Sequence, residues 1–137
     1  MAKLIQDIWI LRESGIVVFN RVFDQIVSPQ LFGAMMSALN MFAEQLTEGG
    51  LSNFELNNKR FTIIKKNDFL FIGNSSKEIK SKKIVRELEK IVTKFFGKYS
   101  EDILDDSSGN LKNFMEFEEE IKDSLEEIIK KFQKAFW

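Results

Sequence analysis

The sequence predicts an α+β domain in which two hairpin strands precede a helix, three more strands follow, and two long helices close the chain. Two runs rich in β-branched and aromatic residues flank a turn near the N-terminus, and an apolar segment opening on Ser-Pro reads as a helix. Three further strand-like runs, punctuated by Asn-rich turns, then lead into two stretches of helical periodicity. A chain of 137 residues supports one core. Folding at this size buries roughly 68% of the extended chain's surface, enough to hold together without a disulfide or a metal. We therefore read residues 1–137 as a single domain.

Leu4 to Leu11 reads LIQDIWIL and Ile16 to Phe23 reads IVVFNRVF, separated by Arg12-Glu13-Ser14-Gly15. Ile8 to Leu11 and Ile16 to Phe19 are apolar on both alternating faces, as expected where each side of a sheet is covered. Ser28 then caps a helix and Pro29 opens it, because Pro fits the first turn with its fixed φ. This helix runs to Gly49-Gly50. On a helical wheel Leu31, Met35, Ala38, Leu39, Phe42 and Leu46 form one stripe, with Phe32 at its edge, and this stripe is expected to pack on the sheet. Gly33, Ser37, Asn40 and Glu44 form the narrow polar strip expected to face water.

Three short strands come next, LSNFELN, RFTIIKK and FLFIG, joined by turns at Asn57-Asn58-Lys59 and Asn67-Asp68. The first is polar enough for a sheet edge; the last, apolar throughout, belongs at the centre. From about Ile79 to Tyr99, Ile84, Val85, Leu88, Ile91, Val92, Phe95, Phe96 and Tyr99 share one side of an amphipathic helix. An acidic connection, SEDILDDSSGN, leads to a last helix on which Phe114, Phe117, Ile121, Leu125, Ile128, Phe132 and Ala135 recur at spacings of three and four.

The composition excludes several chemistries. There is no Cys and no His, so thiol nucleophiles, Ser-His-Asp triads and zinc sites built on those ligands are ruled out. The opening segment carries Asp7 within its apolar run and no small-residue cleavage site follows, so it reads as part of the fold rather than a signal peptide. No stretch approaches 18 uninterrupted apolar residues, and a cytoplasmic location is expected. Gly73-Asn74-Ser75-Ser76-Lys77 stands between strand and helix but lacks the spacing of a phosphate loop. In Asp102 to Asn110 the oxygen ligands are out of register with a calcium loop, because Gly109 falls at the wrong place. Glu116 and Glu120 share a helix face, yet acid-base work needs a cleft and separated pKa values. No catalytic, cofactor-binding or metal-binding residue is assigned.

Two surfaces stand out instead. Met36 and Ala43 widen the apolar arc of the first helix on one flank and Ala34 and Met41 on the other, beyond what one sheet face should cover, which makes these four candidates for a homo- or heterodimer contact. Neighbouring loops or the hairpin edges covering the same flanks is the competing arrangement. The second surface is a basic row. From Lys77 to Lys98 there are eight basic and three acidic residues, against two basic and eleven acidic from Glu101 to Glu127. Lys82, Arg86, Lys90, Lys94 and Lys98 recur every four residues, with Lys83 beside them. They present either a docking surface for an acidic partner or an anionic membrane, or a face neutralised by the acidic last helix. Nucleic acid is not expected, because no exposed aromatics are interleaved for base stacking.

The order β-β-α-β-β-β-α-α resembles the longin domain of the SNARE-like, profilin-like group. The residues that carry the resemblance are IWILRESGIVVFNRVF, SPQLFGAMMSALNMFAEQL, FELNNKRFTIIKKNDFLFIGNSS and the paired helices joined through YSEDILDDSSGNLKNF. Roadblock domains share the β-β-α-β-β-β centre but usually begin with a helix, and small single-domain archaeal relatives exist. The resemblance implies an antiparallel sheet ordered 2-1-5-4-3, with one helix on one face and two on the other. It also implies a non-catalytic module that binds a small GTPase or a longin- or roadblock-type subunit in a GTPase-regulating or vesicle-trafficking system; a homodimer and peripheral contact with an anionic membrane are what the two surfaces above add to that expectation. A PAS-like sensor enclosing a small ligand among the fourteen Phe residues, and a profilin-like actin binder, are the alternatives.

Overall fold

The computed structural model describes residues 4–22, 27–99 and Phe117. Strands β1 (Asp7–Arg12) and β2 (Val17–Arg21) form the expected hairpin, with a register shift between Ile10 and Leu11. Gly15 closes the turn at φ 102°, a left-handed conformation that costs glycine little. Helix α1 (Pro29–Leu46) begins where Ser28 Oγ accepts a hydrogen bond from the Leu31 N–H at 3.2 Å. Strands β3 (Asn53–Glu55), β4 (Lys59–Lys66) and β5 (Phe69–Ser76) form the meander, and helix α2 (Ser81–Lys98) follows. Asn67 and Asp68 both take positive φ, 51° and 66°, the geometry of a two-residue hairpin turn that matches strand twist.

The five strands make one antiparallel sheet in the order β2-β1-β5-β4-β3. Its central strand is β5, as the unbroken apolar run Phe69 to Ile72 predicts, and the polar β3 is an edge. Alternation along the strands builds a core on each face. Ile8, Ile10, Phe69 and Phe71 meet Leu88, Ile91, Val92 and Phe95 of α2 on one side. The rings of Phe69 and Phe71 meet Phe95 at 5.4 Å in edge-to-face geometry. Trp9, Leu11, Leu70 and Ile72 point to the other side, where they cluster with Phe61 and Ile63 of the neighbouring β4 and with Met36 of α1.

The last helix, the acidic connection and the pair Glu116 and Glu120 lie outside the described residues, with one exception: Phe117 is helical and fully buried, its ring 5.4 Å from both Phe19 and Phe95. Gly73 to Ser76, expected to connect strand to helix, instead continue β5. Asn74 is committed to β1 there: its Nδ2 donates to Asp7 Oδ2 at 2.9 Å and its Oδ1 accepts from the Asp7 N–H at 3.1 Å.

The orientation of α1 reverses the sequence expectation. The buried residues of the helix are Gly33, Met36, Ser37 and Asn40, whereas the stripe of Leu31, Met35, Ala38, Leu39, Phe42 and Leu46 faces outward. Met36, placed by its sequence position on an exposed flank, is 3% exposed and belongs to the core.

Candidate functional site

The reversal of α1 follows from how closely the helix approaches the β1–β2 hairpin. A Cβ on Gly33 would stand 2.3 Å from the Gly15 carbonyl oxygen and 2.7 Å from Val17 Cγ2, so only glycine permits this contact between two backbones. Polar neighbours on the same helical face then find backbone partners. Ser37 Oγ donates to the Glu13 carbonyl, and Asn40 Oδ1 accepts from the Leu51 N–H at 3.2 Å. Gln30 bonds both backbone groups of Val17, accepting from its N–H at 3.3 Å and donating to its carbonyl at 3.4 Å, which satisfies part of the open edge of β2. Gly33, Ser37 and Asn40 of the polar strip therefore form the inner face because they are small or hydrogen-bonded to main chain, conditions a stripe of Leu, Met and Phe cannot meet, while Glu44 stays exposed at the end of the strip.

The outward face is correspondingly apolar. Leu31 is 56% exposed, Met35 58%, Leu39 40%, Phe42 63% and Leu46 72%, with Met41 at 60% on the flank. Ala34 and Ala38 are exposed between them, and Ala43 is half-buried. Across its 18 residues α1 has one charged side chain, Glu44, whose carboxylate pairs with Lys65 of β4 at 2.5 Å. Monomer surfaces rarely keep so continuous an apolar stripe, and such patches mark contact surfaces. The aromatic residues of this side do not extend it: Trp9 stacks on Phe32 at 4.1 Å and Phe54 on Phe61 at 4.6 Å, covering the sheet beside the helix.

Of the four dimer-contact candidates, the structure places Ala34 and Met41 on the outward face, Ala43 at its margin and Met36 inside. The residues that dominate this surface are the stripe whose spacing predicts a core face. The signal that marks them is the strip opposite, where Gly33, Ser37 and Asn40 recur at helical spacing and are all small or able to bond main chain.

The basic row lies on the other side of the sheet. Lys82, Lys83, Arg86, Lys90 and Lys94 are exposed on α2, opposite buried Ile84, Leu88, Ile91 and Phe95. Glu87, whose position suggests a solvated neighbour of the row, is buried at 7% exposure and accepts a hydrogen bond from Lys90 Nζ at 2.9 Å. Lys80 caps α2 with no side-chain hydrogen bond, and the first turn contains no acid. Among the described residues no group of His, Cys, Asp and Glu is arranged to hold a metal ion, and no helix is long and apolar enough to cross a membrane.

Solved structures that share this fold include two of bacterial proteins. A Roadblock/LC7 domain from Streptomyces avermitilis superposes with a TM-score of 0.55 at 15% identity, covering 66% of this chain and 82% of that one. MglB of Myxococcus xanthus gives 0.53 at 10% identity, covering 69% and 85%. No curated protein matches the sequence. The family model for the first longin domain of FUZ, MON1 and HPS1 matches residues 6–130. A match over that span, on a sheet ordered 2-1-5-4-3 with α1 and α2 packed on it, places the chain: it belongs to the family of the first longin domain of FUZ, MON1 and HPS1.

Proposed function

We propose that the chain is a non-catalytic interaction module of a small-GTPase or vesicle-trafficking system, and that it docks a longin- or roadblock-type partner domain through the outward face of α1. The observation that carries this is the reversal of α1. Leaving a Leu, Met or Phe side chain in water rather than burying it forgoes about 1.5–3 kcal/mol at full burial. With five such residues in one stripe, a partner surface that covers them recovers a large part of that sum. Longin membership supports assembly as the mode of action, and a chain with neither His nor Cys offers few groups for proton transfer or nucleophilic attack near neutral pH.

The basic row of α2 provides a second surface, for an acidic partner or an anionic membrane, on the opposite side of the sheet. With it goes a cytoplasmic location, peripheral to membranes where the row engages one. An actin-binding role of the profilin kind has no specific observation in its favour.

The test uses the wild-type chain and the variant Leu39→Glu with Phe42→Glu as baits in lysate of the source organism, with retained proteins identified by mass spectrometry. A small GTPase, or a longin- or roadblock-type subunit, is expected on the wild type and absent from the variant. Equal recovery on both removes α1 as the docking face. A stoichiometric small molecule carried through purification and seen by native mass spectrometry establishes the PAS-like sensor instead.

A further inference from the structure

The basic row of α2 is not uniform along its length. At its C-terminal end the cations are in use: Lys90 Nζ donates to Glu87, and Lys94 and Lys98 are each engaged by another group of the protein. At its N-terminal end they are not. Lys80, Lys82, Lys83 and Arg86 are all exposed, and none of them forms an ion pair among the described residues. No acid interrupts the run from Lys80 to Arg86, and Glu87, which follows it, is buried.

The cluster is held in place from the sheet. Arg60 of β4 donates to the Ile79 carbonyl at 3.1 Å and to the Lys77 carbonyl at 3.5 Å, which ties the connection between β5 and α2 to the strand beneath it. The four cations then stand along about 9 Å of one helix, at 1.5 Å per residue, close to the screening length of about 8 Å at physiological salt, so they act on a nearby anionic surface as one charge. With no acid in the first turn to offset it, the positive end of the α2 dipole adds to them.

What such a cluster binds is decided by what surrounds it. A stable protein interface is anchored by desolvated apolar or aromatic side chains, and among the described residues every exposed large apolar side chain lies outside α2. Single-stranded nucleic acid stacks on exposed rings, whereas Phe95 and Tyr99 are buried and Phe96 is half-buried. A lipid surface needs only opposite charge on an element that can reach it.

We infer that the occupant is the anionic headgroup layer of a membrane, met by the N-terminal end of α2 from Lys80 to Arg86 with the C-terminal end of the helix held away. The inference rests on the proposed second surface and adds its occupant, its extent and its pose. It leaves the outward face of α1, on the other side of the sheet, free for a protein partner.

Because the sequence has no Cys, a label on an introduced one reports a single place. Ser81→Cys and Thr93→Cys, both at exposed positions of α2 and about 18 Å apart along it, each receive a bimane label. With vesicles of phosphatidylcholine and phosphatidylserine at low ionic strength, the label at position 81 is expected to be shielded from acrylamide and the label at position 93 to be quenched as in solution. Vesicles of phosphatidylcholine alone are expected to shield neither. Each basic residue close to an anionic surface is worth about fivefold in partitioning, so unlabelled Lys82→Gln with Arg86→Gln, checked by circular dichroism to be folded, is expected to lower the partition coefficient about thirtyfold. Inorganic phosphate is expected to displace the protein no better than chloride at equal ionic strength, because a surface rather than a single anion is bound.

No binding to the anionic vesicles at low ionic strength overturns the membrane as occupant; an acidic protein retained from lysate by the wild type and lost by the double variant then assigns the cluster to that protein instead. Shielding of both labels overturns the end-on pose, and partitioning unchanged in the double variant overturns the cluster as the contact. None of these outcomes touches the α1 face, which the lysate test with Leu39→Glu and Phe42→Glu decides separately.

Discussion

Gly33 decides which way α1 faces. Its missing side chain allows the helix backbone to approach the Gly15 carbonyl, and that approach aims Ser37 and Asn40 at main-chain partners while turning Leu39 and Phe42 to the outside. Two effects compete when it is replaced by Ala. Removing Gly from a helix interior gains about 1 kcal/mol of propensity. Inserting a methyl group at 2.3 Å from a backbone oxygen forces the helix off the hairpin, and overpacking of this kind costs about 1–3 kcal/mol. The clash is with backbone and has no flexible side chain to absorb it, so it wins. Gly33→Ala is expected to lower the midpoint of urea unfolding. Gly97 of α2 serves as the control, because a Cβ there meets nothing within 4 Å. Gly97→Ala is expected to raise the midpoint, and a Gly33→Ala chain more stable than wild type would show that the close approach does not hold α1.

The two described helices differ in how legible they are, and the difference is physical. Helix α2 has polar residues on one side and a sheet on the other, so its wheel points Ile84, Leu88, Ile91 and Phe95 inward and the structure agrees. The strands are legible for a similar reason: β5 is apolar on both faces because both are covered, and β3 is polar because it is an edge. Helix α1 has two packable faces. Its wheel identifies the apolar stripe correctly, but apolarity alone does not say whether the stripe is for the chain's own sheet or for a surface beyond it. In α1 a small polar face held to backbone takes precedence over a large apolar one, and hydrophobicity alone does not reveal that order. Helix ends show a related contrast. Ser28 caps α1 as its chemistry predicts, whereas α2 starts at Lys80 with no side-chain bond and with Lys82 and Lys83 at the positive end of its dipole. Lys80→Asp supplies both an acceptor and a favourable charge. A good cap is worth about 1 kcal/mol and the dipole term about 0.3–1 kcal/mol, so the variant is expected to unfold at higher temperature. An unchanged midpoint would mean that the free N–H groups of α2 are already satisfied.

At the scale of the whole molecule, the two candidate surfaces stand on opposite sides of one sheet and have opposite character: α1 is apolar and uncharged, α2 basic and wet. A partner docked on α1 would leave the basic row available. The row from Lys82 to Lys94 is about 18 Å long, at 1.5 Å per residue. The chain carries a net charge of -1, so there is no long-range positive field to support it, and Glu78 and Glu89 are exposed nearby. Basic residues close to an anionic membrane contribute about 1 kcal/mol each, and screening at physiological salt confines that attraction to within about 8 Å. Weak attachment that disappears with salt is therefore the expected behaviour. Charge reversal tests it, provided the right residues are chosen. Lys90 is unsuitable, since it is the hydrogen-bond partner of buried Glu87 and its loss would destabilise the fold for an unrelated reason. Lys82→Glu with Arg86→Glu avoids that pair. Co-sedimentation with phosphatidylserine vesicles is expected for the wild type at low ionic strength, to be lost on adding salt, and to be absent from the variant, whose thermal stability is expected not to fall because the carboxylate introduced at position 82 would stand favourably at the positive end of the α2 dipole. Binding that survives both high salt and the double reversal would mean that something other than the row holds the membrane. A fall in the variant's stability, with no vesicle binding by the wild type at low salt, would instead mean that the row is neutralised within the fold.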